Sequence, residues 1–311
     1  MQGPANGWHR SLRYAFSEFT IWMSSLDPFG AFCSSLTIIL IVYSQYVTVY
    51  LIILSSSGLD YIHSLLYTAC SIFALMSHFR AQFADPGFVP RHYIPQTMPQ
   101  AQIFDGVRTS ATILQAKKVS LPPVCRKCKT VKPKGAHHCS ICTRCIARMD
   151  HHCPWINNCV AALNQKYFIQ FLCWTGVLCL YSGSIIGAGI YRCAIDSDKC
   201  SDVSPNIIIL VFLNLFEAVL FGCFVAVMLW DQLSAIFENT PYIDKLQGIR
   251  NSSHATRMTL LTEVFGEPIG WNWIFPTRLP KRVAEELYDQ CETYCAGNTV
   301  HSEDEFSDDD D

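Results

Sequence analysis

Four stretches of this chain run long with little or no charge, and each is near the roughly 20 apolar residues that a helix needs to cross a bilayer. The first covers Phe29 to Leu54 and carries no charge. The second covers Tyr61 to Phe79, with His63 and His78 near its ends and Arg80 closing it. The third covers Tyr167 to Ile190, and the fourth Ile207 to Trp230, enclosing Asn214 and Glu217. Buried helices of a large soluble protein share this pattern, but four charge-poor segments of this length in a chain of 311 residues predict membrane spans. The expected fold class is an α-helical membrane protein with four transmembrane helices and a cysteine-rich domain between the second and third. The expected divisions are an N-terminal segment (1–28), spans one and two (29–80), a middle loop (81–166), spans three and four (167–230) and a C-terminal region (231–311).

Polar positions set the orientation. The stretch from Arg80 to Lys166 holds thirteen Lys and Arg residues, the loop from Ser55 to Asp60 none, and the loop from Tyr191 to Asn206 only Arg192 and Lys199. By the positive-inside bias the middle loop is expected in the cytosol, with both termini on the same side. Met1 to Asp27 lacks the short apolar core of a cleavable signal peptide. The C-terminal region mixes an amphipathic piece (Arg257 to Phe265), an aromatic cluster (Trp271, Trp273, Phe275) suited to a membrane interface or to ordinary packing, and an acidic end from Ser302 to Asp311 that reads as a disordered tail.

Composition supports membrane burial. Half the residues are hydrophobic and 16% are charged, against about 25% in soluble domains. Mean hydropathy is +0.20. The net charge of −3 argues against a nucleic-acid partner.

Chemistry concentrates between Cys125 and Cys159, in about 125–159, where seven cysteines and four histidines share one short segment. The chain has 16 cysteines, but their spacing is not that of a secreted disulfide scaffold. Thiols kept reduced in the cytosol are available for metal or catalysis. Cys125-x2-Cys128 and Cys139-x2-Cys142 have the spacing of zinc knuckles, and Lys132-Pro133-Lys134-Gly135 reads as a basic turn. Two tetrahedral sites take eight ligands, so three of the eleven groups are left over. Each knuckle needs two further ligands from His137, His138, Cys145, His151, His152, Cys153 and Cys159, and spacing alone does not assign them. On metal evidence alone, a structural finger with idle spare groups accounts for the segment.

The run Asp150-His151-His152-Cys153 changes that balance. A thiolate is the reactive form of cysteine, a nearby imidazole takes its proton, and a carboxylate orients the imidazole. Alternation of the two histidines can send one toward metal and the other toward the thiol. Zinc ligation around them would hold base and nucleophile in register.

With that run inside a two-knuckle spacing between spans, the sequence resembles the DHHC-type protein S-acyltransferases. Asp85-Pro86-Gly87, Asn157-Asn158-Cys159 and Asn164-Gln165-Lys166-Tyr167-Phe168 extend the resemblance, the last toward Golgi-type members. The resemblance implies that Cys153 is the acylated nucleophile, His151 its base and Asp150 the residue polarising His151. It implies one zinc on Cys125, Cys128, His138 and Cys145 and another on Cys139, Cys142, His152 and Cys159, with His137 outside both. It implies ping-pong transfer of a fatty acyl group, palmitoyl above all, from acyl-CoA to cysteines of substrate proteins at the cytosolic membrane face, in the Golgi or endoplasmic reticulum. Lys132 and Lys134 are candidate contacts for CoA phosphates, or else a solvated basic loop. The acyl chain is expected among the spans, in contact with membrane lipid.

Three departures stand out. Gly135 occupies a position that is usually basic. Asn239 to Asp244 replaces a Thr-Thr-x-Glu run, with Asp244 the plausible acid. Leu260 stands where an asparagine is common. Competing readings are a catalytically silent zinc-dependent adaptor or RING-like ubiquitin ligase, although Cys153-x5-Cys159 is not the closing knuckle of a RING, and a transporter, which the scarcity of intramembrane charge disfavours. Among the remaining residues, Glu217 lies within a span, Cys193 and Cys200 are candidates for a disulfide, Cys33, Cys70, Cys173, Cys179 and Cys223 suit packing, and Cys291 and Cys295 are spare tail thiols.

Overall fold

The computed structural model describes residues 27–53, 60–89, 124–196, 203–248 and 255–277. The N-terminal 26 residues, Cys200, Cys291, Cys295 and the acidic end from Ser302 lie outside the described residues. Cys193, near the end of the third long helix, is disulfide-bonded.

Among the described residues, four helices are long and apolar enough to cross a membrane. Helix α1 (Pro28–Gln45) starts at an Asp27 cap that accepts the N–H groups of Phe29 and Gly30, and it continues as a wider π-helical run, Tyr46–Ile53. Helix α2 spans Asp60–Phe83, α3 Gln165–Ile195 and α4 Pro205–Phe237. The last two have 31 and 33 residues. At 1.5 Å per residue they are about 46 and 50 Å long, well beyond a hydrocarbon core of about 30 Å. From Lys166 to Leu172 every residue of α3 is buried, so this end of the helix is enclosed on all its faces.

Inside the bundle, short polar side chains join the helices. Asn214 donates to Thr48 and Ser182, Ser44 shares a hydrogen bond with Tyr67, and Gln45 bonds Thr68 and Ser71. Where no water is available, such pairs fix which helix faces meet.

The described residues between α2 and α3 form three short antiparallel hairpins. They pair β1 (Val124–Cys125) with β2 (Thr130–Val131), β3 (His137–Cys139) with β4 (Arg144–Ile146), and β5 (His151–Cys153) with β6 (Asn158–Val160). Asparagines fasten this module to α2. Asn158 Nδ2 donates to the carbonyls of Ala81, Gln82 and Ala84, and Asn164 Nδ2 to those of Ala81 and Cys159. These side chains satisfy carbonyls that a helix end leaves open. The Asp85-Pro86-Gly87 turn, closed by Asp85 accepting from Gly87 and Phe88, then lays Phe88 and Val89 along β4.

The described residues after α4 form α5 (Tyr242–Leu246), α6 (Arg257–Phe265) and α7 (Trp271–Ile274). The segment after α6 is strapped to the overhang of α3. Gln170 donates to the carbonyls of Asn272, Trp273 and Phe275, and buried Lys166 to Thr277. The aromatic cluster divides between packing and exposure. Trp273 stacks on Phe265 and Phe275 meets Phe73, whereas Trp271 is exposed.

Candidate active site and metal centres

The two knuckles have the same local structure. Cys128 N–H points at Cys125 Sγ at 3.4 Å and Cys142 N–H at Cys139 Sγ at 3.3 Å. Each turn is then closed by a left-handed residue, Lys129 or Thr143. Such N–H groups favour thiolate over thiol.

Each knuckle receives a cross-strand pair from the next hairpin. His138 faces Cys145 across β3 and β4, and His152 faces Cys159 across β5 and β6. The first quartet is therefore Cys125, Cys128, His138 and Cys145, and the second Cys139, Cys142, His152 and Cys159, with ligand atoms within 4.8 Å of one another in each. His138 Nδ1 lies 3.2, 3.6 and 3.9 Å from the sulfurs of Cys128, Cys125 and Cys145. His152 Nδ1 lies 3.4, 3.5 and 3.8 Å from those of Cys142, Cys159 and Cys139. A tetrahedral ion with arms of about 2.3 Å to sulfur and 2.0 Å to nitrogen has edges of about 3.5–3.8 Å, so both quartets fit one. The hydrogen bond to Cys139, together with burial, pushes Cys142 up to about 12, and a bound cation would favour its thiolate.

The residues left over have separate places. His137 is outside both quartets, its Nε2 2.6 Å from Asp244 Oδ1. Gly135 has a left-handed backbone (φ +69°), a conformation that a side chain strains, and Asp244 lies close to where a Cβ would sit. Lys132 is half-buried and Lys134 exposed on the turn between β2 and β3. Leu260 packs with Ile169, Ile236 and Phe265, so an apolar contact occupies the position where an amide was expected.

Period-two alternation along β5 separates His152 from its neighbours. His151 Nδ1 donates to Asp150 Oδ2 at 2.8 Å. Asp150 is buried and also accepts from Gln232 Nε2 and from the Tyr242 backbone N–H, both at 2.7 Å. Burial works to raise the Asp150 carboxyl, but the His151 hydrogen bond and charge, with Tyr242 and Gln232, outweigh it and hold the group below the usual carboxylate range. Burial likewise works to lower His151, while the Asp150 hydrogen bond and the adjacent Cys153 thiol raise it to about 9. His151 Nε2 is buried and has no hydrogen-bond partner among the described residues. The Phe168 ring packs edge-on against the imidazole, at 5.7 Å between centroids.

Cys153 belongs to neither metal quartet. It lines a cavity between α1, α3 and α4. Apolar side chains dominate the walls, among them Trp155, Phe171, Leu172, Leu178, Phe221 and Val225. His78 supports the wall by bonding the Trp155 carbonyl at 2.9 Å.

Residues 119–249 match the family model of the DHHC palmitoyltransferases. The chain is 33% identical over 274 residues to Palmitoyltransferase ZDHHC3 of Rattus norvegicus, covering 86% of this chain and 87% of that protein. It is 34% identical over 256 residues to Palmitoyltransferase ZDHHC7 of the same species, covering 80% and 79%. Probable protein S-acyltransferase 14 of Arabidopsis thaliana is 36% identical over 130 residues, covering 39% of this chain and 42% of that one. The chain belongs to the DHHC palmitoyltransferase family. Its activity is that of a protein S-acyltransferase, and these matches do not favour the adaptor or ubiquitin-ligase readings.

For a DHHC protein the sequence reading missed three contributors to the site. Gln232 and Tyr242 lie 82 and 92 residues from Asp150. Phe168 sat in a motif read only as a family mark. The altered run after α4 supplied the one available signal. Asp244, singled out there as an acid, holds His137, while the backbone of its neighbour Tyr242 reaches Asp150.

Proposed function

We propose that Cys153 carries the fatty acyl group as a thioester between two half-reactions. The observation that supports this most is the position of Cys153, outside both metal quartets, beside His151 and open to the apolar cavity. In the first half-reaction His151 Nε2 takes the Cys153 proton and the sulfur attacks the acyl-CoA carbonyl. The bond from the carbonyl carbon to the CoA sulfur breaks, and the CoA thiolate takes the proton back from His151. In the second, a substrate cysteine gives its proton to His151 and attacks the new thioester, and Cys153 leaves as a thiolate that recovers the proton. Asp150 acts by orienting His151 and stabilising its cation, and Gln232 and Tyr242 hold Asp150 in place.

The acyl chain, palmitoyl in this reading, lies in the cavity, where each buried CH₂ contributes about 0.8 kcal/mol. Zinc is the ion that three thiolates and one imidazole best suit, and when bound it supplies structural rigidity to the hairpins. Lys132 and Lys134 attract CoA phosphates by charge. The Lys and Arg bias favours a cytosolic placement of the hairpins and both termini, and the resemblance of Asn164 to Phe168 favours the Golgi. The acceptors are then cysteines of proteins held at the cytosolic membrane face.

Purified protein incubated with labelled palmitoyl-CoA is expected to gain one thioester-linked label. Cys153→Ser is expected to remove it without loss of bound zinc. Undiminished label on that variant would overturn the assignment.

A further inference from the structure

Glu217 takes no part in the chemistry above, yet it lines the same cavity as Cys153. It stands on α4 inside a membrane span, where an ionisable side chain is costly to keep. Among the described residues its Oε2 is buried without a hydrogen-bond partner, and so is Oγ1 of Thr175, another lining residue. Unmet polar atoms of this kind are rare in packed interiors and call for a reason.

The helices show where along the cavity Glu217 lies. On α3 the lining begins at Phe168, which packs on His151, and reaches Cys179 about 16 Å further along the axis. On α4 it runs from Val225 through Phe221 to Glu217, away from Gln232 and the Asp150 that Gln232 holds. On α1 it ends at Ser44, whose hydroxyl is shared with Tyr67. Ser44, Cys179 and Glu217 thus form the end remote from the nucleophile.

We propose that Glu217 selects acyl chains by the polarity of their far end. The inference rests on the acyl-cavity reading above and adds a rule for what the cavity accepts. A methyl-ended chain that stops short of Glu217 leaves room for the carboxyl to be hydrated. A chain long enough to press its methyl against the carboxyl strips that hydration and offers no bond in return. A chain of the same length ending in a hydroxyl restores the missing partner. The discrimination is by unmet hydrogen bonding and not by bulk, since leucine is similar in size to glutamate.

The test uses full-length protein and measures thioester formation on Cys153 with myristoyl-CoA, stearoyl-CoA and ω-hydroxystearoyl-CoA. The wild type is expected to favour myristoyl over stearoyl and to label better with the hydroxylated chain than with plain stearoyl. Glu217→Leu is expected to raise the stearoyl-to-myristoyl ratio by about tenfold and to erase the preference for the hydroxyl. Glu217→Gln, which keeps a hydrogen-bonding end, is expected to hold the ratio within about twofold of wild type. Equal ratios in wild type and Glu217→Leu would sink the proposal, as would a wild type indifferent to the hydroxyl, a comparison that needs no variant to fold. No label on wild-type Cys153 from any chain would instead remove the acyl-enzyme reading, and this inference with it.

Discussion

His151 sits between opposing influences. Burial favours its neutral form, and the Asp150 carboxylate with the Cys153 thiol favours the cation strongly enough to raise the group to about 9. A raised imidazole is mostly protonated at neutral pH and becomes available as a base as pH climbs. The single-turnover rate of Cys153 acylation is therefore expected to rise from neutral pH and level off near 9. Asp150→Asn removes the carboxylate, so the midpoint should fall toward the ordinary histidine value of about 6.5. Its plateau rate should drop by about 10² to 10⁴, the usual worth of positioned base catalysis. A pH profile with the same midpoint in both proteins would mean that Asp150 does not govern His151. At this scale the sequence was legible where partners are close along the chain. Asp150, His151 and Cys153 announce themselves within four residues. Gln232 and Tyr242 do not, because only the docking of α4 and α5 brings them to Asp150. Gln232 lies two residues beyond the fourth apolar run, which ends at Trp230.

The long helices show the same limit. The fourth apolar run stops at Trp230 because Asp231 and Gln232 follow, yet α4 continues to Phe237. Hydropathy marks where lipid ends and says nothing of where a helix ends. The overhang finds its partners in protein: Ile236 packs with Ile169, Leu260 and Phe265. Helix α1 has an equally specific role at its opposite end. Gly30 leaves space for the side chain of Asn157, the left-handed residue that ends the short 3-10 turn after Cys153. A methyl group at Gly30 collides with Asn157. Gly30→Ala is expected to lower the melting temperature and to slow acylation several-fold by displacing that turn, in line with overpacking costs of about 1–3 kcal/mol. Unchanged melting and unchanged rate together would show that the two elements are not pressed into contact.

For the whole molecule, two kinds of stability meet. The four spans satisfy their backbones internally, whereas the hairpins are two or three residues long and have few apolar residues of their own. Treating the protein with a strong chelator is expected to release two zinc ions per chain and abolish acylation, while the far-ultraviolet helical signal largely persists. Loss of the helical signal in step with the metal would show that the spans depend on the hairpins. The architecture was legible at this scale because ligand chemistry and membrane thickness each impose spacing on a sequence. The division of ligands between quartets was not legible from spacing, since it depends on each knuckle taking its cross-strand pair from the following hairpin.

That hand-over has a consequence for how such a chain can vary. His151, His152 and Cys153 are consecutive, and alternation along β5 gives each a different duty. Inserting a single residue in β5 would turn His152 toward the cavity and Cys153 toward the second quartet. Letters between the duties can drift freely, but the tally of positions cannot: the segment behaves like a reading frame, indifferent to many spellings and ruined by one shift.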